Sequence, residues 1–322
     1  MQFTIQPTDF APVGNGLLYG FETGSDEPQN VQISVIDADT DAVIGRKSVR
    51  RVKYGTIDIA PYVSRFADFV EPMRSKGSAL VEAPCCRYVV EADGVCSRVL
   101  TLAGNGIEVG AKTSLTTMTR FRKIALGERD EVRLFGEKGS TFNVTLRTSG
   151  GDEIHLNHTS ATGAVILFID TADFAAGTRT AEVAIRCDGR DVPSLCYTVV
   201  ERYGADLRLA WLSMAGTVER YTFPVVRSMT RNAVHRRVER ADGIRRTAEC
   251  TTEQTLRLVS AYEPHAVAEA IAEIASSPRV WLEGKAVDSE VEVLSSSTTL
   301  YEFGRPDCVE VDLRVGGEEV LQ

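Results

Sequence analysis

His155 and His158 lie three residues apart, with Asp152 and Glu153 beside them, and histidine and carboxylate side chains at such spacing can ligate zinc or iron. On a helix this spacing would bring both imidazoles to one face. The residues around them read as strand or turn, however, and only two other histidines exist in the chain. The pair is therefore read as solvated side chains, and no metal is expected. Gly104-Asn-Gly-Ile-Glu-Val-Gly110 has the glycine density of a phosphate-cradling loop. Such a loop must open a helix whose N-terminus receives the phosphate. Ala111 to Thr117 is instead rich in threonine and poor in helix formers, so these glycines read as a domain junction. The sequence has neither a G-x-S-x-G elbow nor a P-loop, and no recognisable carboxylate pair. No catalytic residue and no cofactor are expected, and the chain is not read as an enzyme.

The most unusual chemistry is cationic. Between Arg220 and Arg246 there are eight arginines: Arg220, Arg227, Arg231, Arg236, Arg237, Arg240, Arg245 and Arg246. Glu219, Glu239 and Asp242 are the only acids among or beside them. Asp242-Gly243 suggests a hairpin turn within the run. Arginine pairs bidentately with carboxylates, so a projecting hairpin could grip the acidic surface of a neighbouring subunit. It could also touch nucleic acid, but no aromatic for base stacking lies between Phe223 and Tyr262. A plain solvated hairpin stays open too, because arginine outnumbers lysine 29 to 7 over the whole chain. Self-association or docking through Arg227, Arg231, Arg236, Arg237, Arg240, Arg245 and Arg246 is the expectation pursued, with no nucleic acid as partner.

These side chains must be held by strands, because strand patterns dominate. Val31–Ile36, Phe142–Leu146 and Val291–Leu294 alternate apolar and polar residues. Residues 87–90, 99–102, 164–169, 182–185 and 279–282 add β-branched and apolar runs of strand length. Asp93-Gly94 and Asp188-Gly189 are further hairpin turns. Boundary-like segments near 106 and 204 divide the chain into three blocks of roughly a hundred residues, the size of an immunoglobulin-like sandwich. The fold class expected is mainly β, with three consecutive β-rich domains. Two are immunoglobulin-like sandwiches at 1–106 and 107–203. The third, at 204–322, is a β-sandwich carrying one packed helix and the basic hairpin. That helix spans 264–276, with Pro264 at its first position and Val267, Ala270, Ile271 and Ile274 on its apolar face. Residues 61–66 read as one extra helical turn.

Composition narrows the function classes. Net charge is −9 and the pI is near 5.2, which argues against bulk nucleic-acid binding. The longest purely apolar run, Ala164–Ile169, is far below the roughly 20 residues of a membrane span, so no membrane insertion is expected. The opening MQFTIQPTDF reads as lacking a secretory signal. The seven cysteines are accordingly read as reduced, small and mostly buried. Cys86 with Cys96, and Cys187 with Cys196, are the two pairs that could meet across a hairpin.

Leu209-Ala-Trp-Leu-Ser-Met-Ala-Gly-Thr-Val-Glu-Arg-Tyr-Thr-Phe-Pro224 resembles a signature of structural proteins of Bacteroidetes tailed phages and prophages. In that signature a tryptophan-leucine-asparagine run, two glycines and a tyrosine-threonine-phenylalanine run follow one another. Trp211, Leu212, Gly216, Tyr221, Thr222 and Phe223 match it, whereas Ser213 replaces the asparagine and Thr217 the second glycine. Phe10-Ala-Pro-Val-Gly-Asn-Gly16 also looks like the opening of such proteins, where a proline and an asparagine precede the first strand. The resemblance implies an oligomeric, tail-associated virion component with no catalytic residues, whose partners are itself and other virion proteins. It would be found in the virion, or in the host cytoplasm during assembly. Read without the resemblance, the same residues make a hairpin with aromatic cross-strand packing. The alternative function is a carbohydrate-binding or adhesion module, with Trp211, Trp281 and tyrosines as a sugar platform. A hydrolase has no motif behind it.

Overall fold

A computed structural model describes the chain except residues 67–76, 110–112, 203, 205, 240–244, 284–288, 300–306, 316–318 and 321–322. At 65–66, 234, 236–239, 245–251, 289, 299 and 319–320 it describes the backbone alone. The protein is mainly β, built of several sheets. In residues 1–102 the alternating strand Gln29–Asp37 turns Val31, Ile33 and Val35 inward. Opposite its sheet lies a second one of Gln2–Ile5, Leu18–Glu22 and Tyr54–Asp58, which contributes Tyr19, Phe21 and Ile57 to the same core. A strand thus precedes Phe10–Gly16, where the resemblance implied none. Gln2–Ile5 is held as an edge by pairing with Leu18–Glu22. The extra turn at 61–66 is the helix Ala60–Phe66.

A second core lies between residues 121 and 200. The apolar run at 164–169 becomes the strand Ala164–Asp170, buried along its whole length as its composition demands. Strand Arg129–Phe135 pairs on one side of it, and Ala79–Glu82, from the first block, on the other. The facing sheet holds Phe121–Ala125, Arg190–Val200, Thr180–Cys187, Thr141–Thr148 and Glu153–Thr159. Both described Asp-Gly turns are two-residue hairpin loops with positive φ at each position: Asp93 and Gly94 at 45° and 82°, Asp188 and Gly189 at 49° and 77°. Cys86 lies opposite Leu102 and Cys96 opposite Glu91. Cys187 lies opposite Arg190 and Cys196 opposite Glu182. Neither expected cysteine pair is directly cross-strand.

The remaining strands form one sheet. Leu207–Leu212 pairs with Val218–Phe223 at one edge, and Val225–Glu239 lies at the other. Only Pro224 separates these two edge strands in sequence. Two opposite edges joined by one residue must come together there, so the sheet curls on itself around a core of Leu209, Trp211, Phe223, Leu256, Leu282 and Leu313. The helix His265–Ala272, continued by a 3-10 turn to Ser276, closes this core with Ala268, Ala270, Ile271 and Ile274. Fully burying each isoleucine stabilises the fold by about 1.5–3 kcal/mol. Pro264 takes the N-cap place with ψ 148°, one residue before its expected position. The buried apolar residues gather in three large clusters and a fourth, smaller one that includes Ala103, Phe135 and Ala215.

Helix docking has a pH signature. His265 Nδ1 lies 2.7 Å from Oδ2 of the buried Asp307, and Nε2 lies 3.2 Å from Glu269 Oε1. The Asp307 hydrogen bond, helped by Glu269, outweighs desolvation and raises the His265 pKa above its ordinary value near 6.5. A raised folded pKa means that this contribution is fully present below about pH 6.5 and fades as pH rises through the folded value. Denaturant midpoints should therefore fall on going from about pH 6 to pH 9, and His265→Asn should remove that part of the slope.

Candidate functional site

Two features stand out: the arginine-rich hairpin, and the place where the three cores meet. The hairpin is longer than its turn signal alone implied. Val225–Glu239 and Arg245–Val259 pair from Val225 opposite Val259 out to Glu239 opposite Arg245. Strand Cys308–Val315 accompanies this hairpin only along Gln254–Val259, and Glu319–Val320 adds two residues at Cys250 and Thr251. Beyond Gln254 the ribbon runs on for residues 232–239 of one strand and 245–253 of the other, on the order of 30 Å. The outer edge of Val225–Glu239 has no strand beside it among the described residues.

The predicted arginines divide among three situations. Arg227 sits at the root of the arm, where a bulge between Val226 and Ser228 swings it onto Glu310 of the same chain. Arg231 is exposed on the arm and has no acidic partner among the described residues. The side chains of Arg236, Arg237, Arg245 and Arg246, and the whole of Arg240 and the Asp242-Gly243 turn, lie outside the described residues. Arg220, counted with the same cluster, is not a surface residue. It is 8% exposed, with Nε 2.7 Å from Glu283 and Nη1 3.1 Å from Glu131. Two glutamates from other strands meet it inside, a relation that its own sequence neighbourhood does not display.

The six motif residues come together as read, in a hairpin with Trp211 opposite Glu219. Trp211 and Phe223 are fully buried, and Phe223 meets Tyr221 edge-on at 5.1 Å. Leu212 lies half-buried at the strand end. Gly216 turns the chain with φ 79°, and a Cβ there would lie 2.0 Å from the Gly104 carbonyl oxygen. Reciprocally, a Cβ on Gly106 would lie 1.9 Å from the Met214 carbonyl oxygen. Gly106 N–H donates to Ala215 O at 3.1 Å across this contact. Gly104 and Gly106 thus lie in a backbone-on-backbone contact with the turn at 213–217, and Gly110 lies outside the described residues. Asn105 is buried there and donates to Phe10 O at 2.6 Å and Ile107 O at 2.9 Å.

Next to it runs a buried ionic network that sequence reasoning missed. Arg122 Nη1 donates to Asp130 at 2.6 Å, and Tyr197 donates to the same carboxylate at 2.9 Å. Arg208, 7% exposed, donates to Glu128 at 2.9 Å, Glu283 at 3.1 Å, Thr222 at 2.8 Å and the Arg129 carbonyl at 2.7 Å. Thr222 donates on to Glu128 at 2.8 Å, and Tyr221 to Glu263 at 2.9 Å, where Lys123 also donates at 2.8 Å. Arg133, buried on the strand Arg129–Phe135, donates to the Ala103 carbonyl of the first block. Burial raises the Asp130 pKa, but Arg122, Arg208 and Arg220 outweigh it and hold the carboxyl below the usual range. At Glu131 burial wins over Arg220 and Arg133, and the carboxyl is raised. Burial, reinforced by Asp130, lifts the Tyr197 phenol well above its ordinary value. These guanidinium and carboxylate groups are spent on one another, so the arrangement clamps strands from separate sheets together. A cleft of about 320 Å³ bordered by Met118, Phe121, Lys123, Tyr221 and Glu263 lies alongside.

The other candidate residues stay apart. His155 and His158 lie on the strand Glu153–Thr159, where His158 Nε2 contacts Glu82 at 2.9 Å and His155 Nδ1 contacts Thr145 at 3.3 Å. Among the described residues no group of three or more histidine, cysteine or acidic side chains could hold a metal ion. No helix is long and apolar enough to cross a membrane. Trp211 is buried, and the Arg279 guanidinium covers the Trp281 ring at 4.9 Å from its centroid. The two tryptophans therefore offer no open platform for a sugar.

No protein-family model matches the chain, and no curated protein matches it either. Among solved structures, a chain from the tail of an empty GTA particle, determined by helical refinement with C6 symmetry, is similar at 14% identity and a TM-score of 0.25. The similarity covers 36% of this chain and 95% of that one. At this score it carries no weight for function.

Proposed function

We propose that the chain is a non-enzymatic structural protein of a tailed-phage or prophage virion, of the tail or its appendages, that joins its neighbours through the arginine-rich arm. The observation that carries this reading is the arm itself: a two-stranded ribbon that leaves the body for eight residue pairs, with a run of arginines in its sequence on an acidic chain. A ribbon with a third strand beside it at only two residues, Cys250 and Thr251, buries little of its own surface and gains stability from a partner. Fixed contacts between the three cores support it too, since an assembly component must hold its docking surfaces in constant relation. The tail signature matched by Trp211, Leu212, Gly216, Tyr221, Thr222 and Phe223 agrees with the reading. In the test, Arg236, Arg237, Arg245 and Arg246 are replaced together with serine. Assembly into species larger than a dimer, followed by light scattering, and capture of the neighbouring tail proteins should both be lost, while the circular dichroism spectrum stays that of the parent. Undiminished assembly and capture would make the arm a solvated loop and sink the reading.

A further inference from the structure

The strand Val43–Val52 carries a charge pattern that neither the arm nor the junction uses. Arg46, Lys47, Arg50, Arg51 and Lys53 place five cations within eight residues, with no acid among them. All five are exposed, and none has an acidic partner among the described residues. Most other described arginines do have one, including the half-exposed Arg87, Arg147, Arg257 and Arg314. At the other end of the same strand, the turn from Gln29–Asp37 carries Asp37, Asp39 and Asp41. Val43–Val52 is an edge, paired with Gln29–Asp37 on one side and unpaired on the other among the described residues.

We infer that this edge is an isologous interface: two copies of the chain pair antiparallel with a two-fold axis at Gly45, residues 43–47 against 43–47 and the basic end of each strand against the acidic turn of the other copy. An antiparallel two-fold contact sets residue i against residue 90 − i when Gly45 lies on the axis. Arg50, Arg51 and Lys53 of one copy then run alongside the Asp37, Asp39 and Asp41 turn of the other, and the converse contact forms at the far end. The reach allows it: five residues from Gly45 to Arg50 span about 17 Å and four from Gly45 to Asp41 about 13 Å, a difference that an arginine side chain covers. Near the axis Lys47 falls opposite Val43 and Arg46 opposite Ile44, so aliphatic stems cover Val43, which is 44% exposed in the single chain. Gly45 brings no side chain to the axis, because the ring of Tyr62 occupies the place where its Cβ would stand, 2.3 Å away. A parallel pairing would set the basic half against the basic half. A shift of the axis towards Ser48 would set Arg46 against Arg50, so the charges fix the direction and oppose that slip. The usual role of lysine and arginine on an edge strand is to repel a second edge. Here the acidic turn at the opposite end converts repulsion into selection of one partner and one orientation.

The contact is independent of the arm, and its test separates the two. Sedimentation of the full chain at about 50 mM salt should show a concentration-dependent dimer that weakens at about 0.5 M, where the Debye length is only a few Å. The same dimer should persist in the arm variant with four serines. Arg50→Glu with Lys53→Glu, and separately Asp39→Lys with Asp41→Asn, should each raise the dimer Kd about tenfold or more. Asparagine keeps the positive φ of 58° at residue 41 tolerable. Mixed in equal amounts, the two variants should dimerise again, because the acidic turn of the first meets the basic end of the second. A wild-type chain that stays monomeric up to about 0.5 mM, far above the micromolar range of specific pairs, overturns the inference. So does a dimer indifferent to both variants, or a mixture no better than its components. A monomer that binds double-stranded DNA through these cations would assign the strand to a polyanion instead.

Discussion

Gly216→Ala should cost about 3 kcal/mol or more of stability and loosen the first block from the third. Two costs combine. The positive φ of 79° disfavours any side chain by roughly 1–2 kcal/mol. The new Cβ would also stand 2.0 Å from the Gly104 carbonyl oxygen, which belongs to backbone and cannot swing aside. Gly189→Ala is the matched control: φ is 77°, and nothing lies within 4 Å of the added carbon, so only the first cost applies. Gly106→Ala isolates the second, because its Cβ meets the Met214 oxygen at 1.9 Å without a positive φ. Chemical denaturation of the three variants should rank Gly216 as the most damaging and Gly189 as the mildest. Protease cleavage between residues 103 and 110 should accelerate in Gly216→Ala and Gly106→Ala alone. Equal losses in all three would show that the loops are not pressed together.

Arg208→Met should destabilise the protein by about 3–5 kcal/mol, the range for removing one partner from a buried ion pair. Glu128 would keep Arg202 at 3.4 Å, and Glu283 would keep Arg220, but the Arg129 carbonyl and Thr222 would each lose a donor. Arg208 belongs to the third block and Glu128 to the second, so the variant should also split a single thermal transition into two. Asp130→Asn probes the same network by pH. The depressed Asp130 pKa gives stability that is present above the unfolded value near 3.9 and lost as pH falls through the folded value. The variant should therefore lose part of the acid dependence of the parent between about pH 5 and pH 2. Calorimetry reads both effects, and an Arg208→Met protein within about 1 kcal/mol of the parent would show that the network is not a clamp.

Legibility from sequence followed the range of the interactions. Alternation over a few residues displayed the strands at Gln29–Asp37 and Thr141–Thr148, and Asp-Gly displayed two hairpin turns, because both depend on near neighbours. The helix after Pro264 was legible from its apolar spacing for the same reason. Arg129-Asp-Glu-Val-Arg-Leu-Phe135 shows the limit. Its four charged residues suggest a wet surface, yet all but Arg129 are buried, because partners at positions 103, 122 and 220 come to meet them. Arg220 was misplaced by the same cause. The motif hairpin at 207–223 was legible as a hairpin, while its role in bringing the cores together depends on Gly104 and Glu128, distant in sequence. Nothing in the local pattern of Ala79–Glu82 shows that it completes the sheet of another block.

That crossing strand sets an order of events during synthesis. Ala79–Glu82 leaves the ribosome early, but its partner Ala164–Asp170 follows more than eighty residues later. At elongation rates of about 5–20 residues per second, the interval is on the order of 4–17 s. Throughout it the first block can close its own core, while the β edge of Leu80 and Val81 waits unmatched. Two nascent chains on one message are close enough in that window to exchange this strand. A swapped pair would bury the same residues as the correct fold, and separating it would require undoing the second core.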